Sequence, residues 1–304
     1  MTLFQAIILG IVQGLTEFIP ISSTAHLVFA SRVIGLFGGA DPTLKAEQTT
    51  AAIAVIQLGT LLAVLIYFSR DIVKITRAFV GDHLRLLTSA RTPGAADGAQ
   101  GAVVQQKLSQ DALLGWLVII GSIPVGIVGL MFKKQIEGTF TKNLWVIATM
   151  MIVVAVLLGL AELVGKRTRS MTDLGIRDAL AVGCAQVLAL IPGSSRSGST
   201  IMGGLFAGET RETAARFSFL LSIPAIAASG LLELKEALVK LPPESYVPLV
   251  VATVVSGVVG YASIWFLLRF LRTHSTGIFI GYRLLIGALI MLGLLGGYIS
   301  ADLV

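Results

Sequence analysis

Apolar residues run almost unbroken through six stretches of the chain, at 51–68, 112–132, 144–164, 217–235, 247–268 and 278–298. Each is near the roughly 20 residues a helix needs to cross the hydrocarbon core of a bilayer, so each predicts a transmembrane helix. Two further apolar regions, 3–35 and 176–208, are interrupted midway by a proline and a cluster of polar groups, at Ile19-Pro20-Ile21-Ser22-Ser23-Thr24-Ala25-His26 and Ile191-Pro192-Gly193-Ser194-Ser195-Arg196-Ser197-Gly198. Proline opens the helical hydrogen-bond ladder, and non-helical backbone persists at membrane depth only where protein or a water-filled cavity satisfies it. Both regions therefore predict re-entrant helix pairs.

The two interruptions resemble each other. Ile19-Pro20-Ile21-Ser22-Ser23 and Ile191-Pro192-Gly193-Ser194-Ser195 agree at four of five positions, which predicts an internal duplication within one membrane domain, 1–304. The first repeat, 1–165, holds the pair 3–35 and the spans 51–68, 112–132 and 144–164. The second, 170–304, holds the pair 176–208 and the other three spans. Three spans is an odd number, so the second copy enters the membrane from the opposite side and the halves form inverted-topology repeats. The fold expected is an all-α polytopic membrane protein with about six transmembrane helices and two re-entrant pairs.

Composition agrees. Only 13% of the 304 residues are charged, 55% are hydrophobic and the mean hydropathy is +0.87, where soluble domains are about a quarter charged. The 33 glycines suit helices packed closely in lipid. The net charge of +6 comes from scattered loop residues, so a nucleic-acid partner is not expected. With 69–111 as a cytoplasmic loop, fourteen basic residues lie inside and six outside, and Arg32, Arg196 and Arg283 fall in apolar segments. This places both termini outside the cytoplasm. Residues 89–101, small and polar, predict a flexible loop. Cys184, the single cysteine, allows neither a disulfide framework nor a cysteine metal site and predicts packing, and His83 and His274 predict solvated positions. No removable signal peptide is expected from the first residues, which lack a basic leader.

Ionisable groups inside membrane segments are candidates for function. The first interruption brings Gln13, Glu17, Ser22, Ser23, Thr24 and His26. Gln13 and Glu17 are four apart and share a helix face, where a carboxylate suits a divalent cation. An ion pair to Arg196 or Arg283 would instead make Glu17 a tie between helices. The second interruption sets Ser194, Ser195, Arg196, Ser197 and Ser199 around Gly193 and Gly198 at a helix start, an arrangement that binds anions through backbone N–H groups and a guanidinium. Serines that only cap freed backbone groups are the plainer alternative. If the two interruptions meet at the midplane, a metal, an arginine, a nucleophile and a proton carrier come together as phosphoryl transfer requires. Broken helices in inverted repeats are also a transporter feature, so transport or flipping of a phosphorylated lipid or small anion is the competing class. The set of Glu17, Ser23, His26 and Arg196 is what separates them.

Gln13-Gly14-Leu15-Thr16-Glu17-Phe18-Ile19-Pro20-Ile21-Ser22-Ser23-Thr24-Ala25-His26 and Pro192-Gly193-Ser194-Ser195-Arg196-Ser197-Gly198 closely resemble the bacterial undecaprenyl-diphosphatase family, also called the bacitracin resistance protein family. Ile56-Gln57-Leu58-Gly59, Arg216-Phe217-Ser218-Phe219-Leu220-Leu221 and Tyr282-Arg283 extend the resemblance over nearly the whole chain. It implies hydrolysis of undecaprenyl pyrophosphate, recycling of the lipid carrier for peptidoglycan, bacitracin resistance, and magnesium or calcium as cofactor. Glu17 then resembles the metal-associated acid, joined by Gln13, Ser23 and His26 resemble the catalytic pair, and Arg196 the pyrophosphate-binding arginine, with Ser22, Thr24, Gln57, Gly193, Ser194, Ser195, Ser197 and Gly198 around the substrate. The letters leave Ser23 and His26 both open as nucleophile. The partners implied are the prenyl lipid and membrane lipids in a bacterial inner membrane, with the active site on the outer side and room for a homodimer. Gln13, Ala25 and Ile53 depart from the family pattern. Gln13 stands where a second glutamate is usual and brings no charge to a metal.

Overall fold

The computed structural model describes residues 1–37, 42–89, 108–132 and 143–301. Among them are eleven α-helices and no strand: α1 (Leu3–Phe18), α2 (Ser23–Val33), α3 (Pro42–Tyr67), α4 (Ser69–Ser89), α5 (Gln110–Met131), α6 (Leu144–Val164), α7 (Ile176–Val187), α8 (Arg196–Phe206), α9 (Arg211–Lys240), α10 (Tyr246–Leu271) and α11 (Gly277–Leu295). Six of them, α3, α5, α6, α9, α10 and α11, are long and apolar enough to cross a membrane. Their outward faces are apolar, as Ile119, Ile123 and Ile127 on α5 and Val250, Val254 and Val258 on α10 illustrate. No water covers such a surface in lipid, and leaving it apolar costs nothing there. The chain is a multi-pass membrane protein.

Polar ends are closed by the chain itself. Thr2 and Gln5 form a reciprocal capping box at the start of α1, and Ser109, Asn143 and Thr210 cap α5, α6 and α9, each satisfying donors that the first helical turn leaves free. The main core joins α1, α3, α9 and α10 through Phe18, Val64, Phe68, Phe219 and Ile264. A second core joins α2, α6 and α11 through Ala25, Ile147, Met151 and Ile290. α1 lies along α10 and α7 lies along α5. The approach is close: a Cβ on Gly14 would come within 2.8 Å of the Ser256 carbonyl, and one on Gly183 within 2.4 Å of the Gly121 carbonyl. Small residues substitute in lipid for the hydrophobic drive that packs helices in water.

Three expectations change. Residues 69–89 are not loop but helix α4, whose Ile72, Ile75 and Phe79 face the protein while Arg70 and Arg77 face outward. Its apolar residues are interleaved with charge, so it contains no long apolar run. His83 is not free in solvent: its Nδ1 bonds the Phe79 carbonyl at 2.6 Å and its Nε2 accepts from Trp116 at 3.1 Å, which fastens α4 to α5. Cys184 is exposed on the outer face of α7 rather than packed, because a thiol meeting lipid behaves as a small apolar group. His274 is exposed, with its ring stacked on Phe270. Apart from Ser89, the expected loop at 89–101 lies outside the described residues, as do Lys133, Lys134 and Lys142.

The turn between α8 and α9 carries Glu209, fully buried with neither carboxylate oxygen hydrogen-bonded. Burial, with Asp178 nearby, pushes its carboxyl up to about 8, and Arg169 opposes this only in part. Glu209 is thus protonated in the folded protein at neutral pH and ionised in the unfolded chain. A folded value above the unfolded one gives stability that is full below about pH 4.5 and falls as pH rises to about 8. The thermal midpoint of the wild type is expected to drop between pH 5 and pH 8. Glu209→Gln flattens that slope; an unchanged slope in the variant would refute the assignment.

Candidate active site

The two interruptions are built alike. α1 stops at Phe18, Ile19 is extended, and Ser22 enters the left-handed region at φ 77 just before α2 begins. α7 gives way to a short 3-10 turn at Leu188–Leu190, Gly193 takes φ 91 and Ser195 φ 67, and α8 starts at Arg196. A serine at positive φ costs on the order of 1 kcal/mol and persists only where its surroundings hold it. The surroundings here are explicit. Gly193 has no room for a side chain, since a Cβ would come within 2.3 Å of the Ile147 carbonyl on α6. Gly193→Ala combines that clash with an unfavourable φ. It is expected to lower the thermal midpoint by roughly 10 °C and remove activity; a variant as stable and active as wild type would contradict this placement.

Arg283 on α11 binds both interruptions to the frame. It is wholly buried, and its guanidinium donates to five carbonyls: Met150 and Met151 on α6, Pro20 in the first interruption, and Gly193 and Ser194 in the second, at 2.9 to 3.4 Å. A planar cation with five N–H groups satisfies what proline and the turns leave unbonded.

A second cluster crosses between the interruptions directly. The Glu17 carboxylate, 6% exposed, accepts from Arg196 at 2.6 Å and Gln57 at 3.2 Å on one oxygen, and from Gln13 at 3.0 Å on the other. Arg196 also donates to the Ser222 carbonyl of α9 at 3.2 Å, and Ser197 to the Ile19 carbonyl at 3.3 Å. The ion pair considered for Glu17 is therefore present, with Arg196 as partner. It draws an acid from the first interruption and a cation from the second into one buried group. Gln13 Oε1 is buried with no partner.

His26 faces elsewhere. Its Nδ1 lies 2.7 Å from the Ser22 carbonyl and its Nε2 2.6 Å from the Tyr282 hydroxyl, and no hydrogen bond joins it to Glu17 or Arg196 among the described residues. Ser23 is half-buried, three residues before His26 on α2, and Thr24 is exposed. Ser195 accepts from the Gly198 N–H and pairs with Ser197, so two of the serines expected near phosphate also close the start of α8. Ser194 is buried and its hydroxyl has no partner. Tyr282, Arg283 and Ser222 were not among the candidate site residues. An arginine in the apolar run 278–298 was the available sign for Arg283, whereas Ser222 contributes a backbone carbonyl that no side-chain pattern shows.

The family described as Bacitracin resistance protein BacA matches residues 6–289. A protein of Syntrophobacter fumaroxidans named undecaprenyl-diphosphatase is 50% identical over 291 residues, covering 96% of this chain and 97% of that protein. Proteins of the same name from Chlorobium limicola and Chlorobaculum tepidum are 47% and 45% identical, covering 99% and 96% of this chain and 100% and 98% of their own lengths. Glu17, Gln57 and Arg196 are thus set in a chain matched almost from end to end, and the chain belongs to the bacitracin resistance protein family.

Proposed function

We propose that this chain hydrolyses undecaprenyl pyrophosphate to undecaprenyl phosphate and inorganic phosphate, recycling the carrier lipid for peptidoglycan synthesis and conferring bacitracin resistance. One observation carries the site: Arg196 and Glu17 meet across the two interruptions, so a cation and an acid stand at the junction of two broken helices inside an apolar bundle. In this reading the prenyl chain lies along the apolar helix faces. The pyrophosphate takes the Arg196 N–H groups left over from Glu17 and Ser222 and the Ser194 hydroxyl, which has no partner of its own.

Ser23 supplies the attacking hydroxyl. Its oxygen bonds the terminal phosphorus as the bond from that phosphorus to the bridging oxygen breaks, its proton passes to His26, and undecaprenyl phosphate leaves. A water oxygen then bonds the phosphorus as its bond to the Ser23 oxygen breaks, His26 returns the proton to that oxygen, and inorganic phosphate leaves. The Ser22 carbonyl holds the proton on Nδ1, which leaves Nε2 to receive the one from serine. Glu17 fixes the Arg196 fork so that its remaining N–H groups meet the phosphate oxygens without reorganisation.

The residues present fit a divalent metal completed by substrate. Gln13 donates through Nε2 to the Glu17 carboxylate and leaves its Oε1 buried without a partner, and no cluster of three or more acidic, histidine or cysteine groups exists among the described residues. Magnesium or calcium held by Glu17 and Gln13 would neutralise pyrophosphate oxygens, and one carboxylate plus an amide makes that hold weak without substrate.

The two halves form inverted repeats in this account. The reciprocal packing of α1 on α10 and α7 on α5, together with α3 on α9 and α6 on α11, supports this. The bias of basic residues toward one side supports an inner-membrane protein with its site opening outward. Purified protein in detergent is expected to release one phosphate per undecaprenyl pyrophosphate, to lose at least ~10-fold in rate with EDTA, and to recover with excess magnesium or calcium. Rates indifferent to EDTA would remove the metal from the account. Unchanged lipid pyrophosphate would remove the hydrolase.

A further inference from the structure

His26 is held at both ring nitrogens. A carbonyl only accepts, so the 2.7 Å contact from Nδ1 to the Ser22 carbonyl places the ring's proton on Nδ1. Nε2 then carries the lone pair, and the Tyr282 hydroxyl, 2.6 Å away, donates to it. Both contacts favour the same tautomer. The rings also lie nearly parallel, 14° apart with centroids at 5.6 Å. Tyr282 is 37% exposed, so its phenol is not required to fill a core. Its backbone, however, is firmly held, because the next residue is the Arg283 that is bonded to five carbonyls.

We propose that Tyr282 is a positioning residue for the hydrolysis: its ring and hydroxyl hold the His26 imidazole in one plane and one tautomer, with Nε2 presented to the reaction, and the hydroxyl yields that nitrogen when the pyrophosphate arrives. Once Nε2 has taken a proton, the same oxygen can accept from it. Side chains that act through a general base alter turnover more than substrate binding, because a misaligned base acts only in the transition state. The proposal rests on the role given to His26 above.

The test compares Tyr282→Phe, His26→Gln and the double variant in undecaprenyl pyrophosphate hydrolysis. Tyr282→Phe keeps the ring and is expected to match wild type in size-exclusion profile and thermal midpoint, while kcat falls about tenfold and KM stays within about twofold. In the His26→Gln background the tyrosine change should have no further effect. Wild-type kcat in Tyr282→Phe, a raised KM with kcat unchanged, or an equal loss in both backgrounds overturns the proposal. The two readings fail separately. If His26→Gln turns over like wild type, the histidine role fails and Tyr282 with it, whereas an impaired His26→Gln beside a fully active Tyr282→Phe sinks only the tyrosine.

Discussion

Exchanging Arg196 for lysine is expected to lower turnover by about 100-fold or more while leaving the protein folded. Lysine keeps the positive charge opposite Glu17, so no buried carboxylate is stranded, which is what makes alanine the harsher choice at this position. It cannot keep the geometry. Arg196 reaches the Glu17 carboxylate and the Ser222 carbonyl from two nitrogens of one rigid plane, and further N–H groups remain for phosphate. A single ammonium that satisfies Glu17 loses the two-point grip on phosphate oxygens. Hydrolysis rates measured beside a thermal unfolding curve check this: a stable variant with near-wild-type turnover would show that Arg196 only ties helices together.

Arg283→Lys is expected to fail differently, losing stability and activity together. The three donors of lysine cannot replace five bonds to carbonyls on three separate segments. Each buried carbonyl left unbonded costs about 1–3 kcal/mol, and the thermal midpoint is expected to drop by roughly 10 °C or more. Both interruptions lose their anchor at once, so residual activity should be near background even below the melting temperature. A variant that melts like wild type would contradict the structural role. Comparing the two arginines separates catalysis from scaffolding: turnover alone should fall at Arg196, and both quantities at Arg283.

Much of the architecture is legible from hydropathy, because lipid imposes a length on every crossing helix and forbids unbonded backbone elsewhere. The six spans and the two proline-broken pairs follow from that constraint, and α3, α5, α6, α9, α10 and α11 occupy the expected stretches. Helix α4 was hidden by the same logic, since an amphipathic helix beside the bundle has no long apolar run. At the site, the four-residue spacing of Gln13 and Glu17 and the intramembrane placement of Arg196 pointed to residues that do bond one another. What the letters could not show is direction. His26 lies nine residues from Glu17, yet α2 leaves a left-handed turn at Ser22 and carries the imidazole toward Tyr282, 256 positions away. Arg283 was visible as a charge in an apolar segment, but its partners are carbonyls, which every residue has and none advertises.

The proposed hydrolysis requires the two interruptions to act as one site. Phosphate release from undecaprenyl pyrophosphate by folded wild type, His26→Ala and Arg196→Lys tests it most directly, because one variant lies in each interruption. Release by the wild type, with both variants near background, is the predicted result. Hydrolysis that survives either substitution at close to the wild-type rate would contradict a shared site, and no release by folded wild type with magnesium or calcium present would contradict hydrolysis itself.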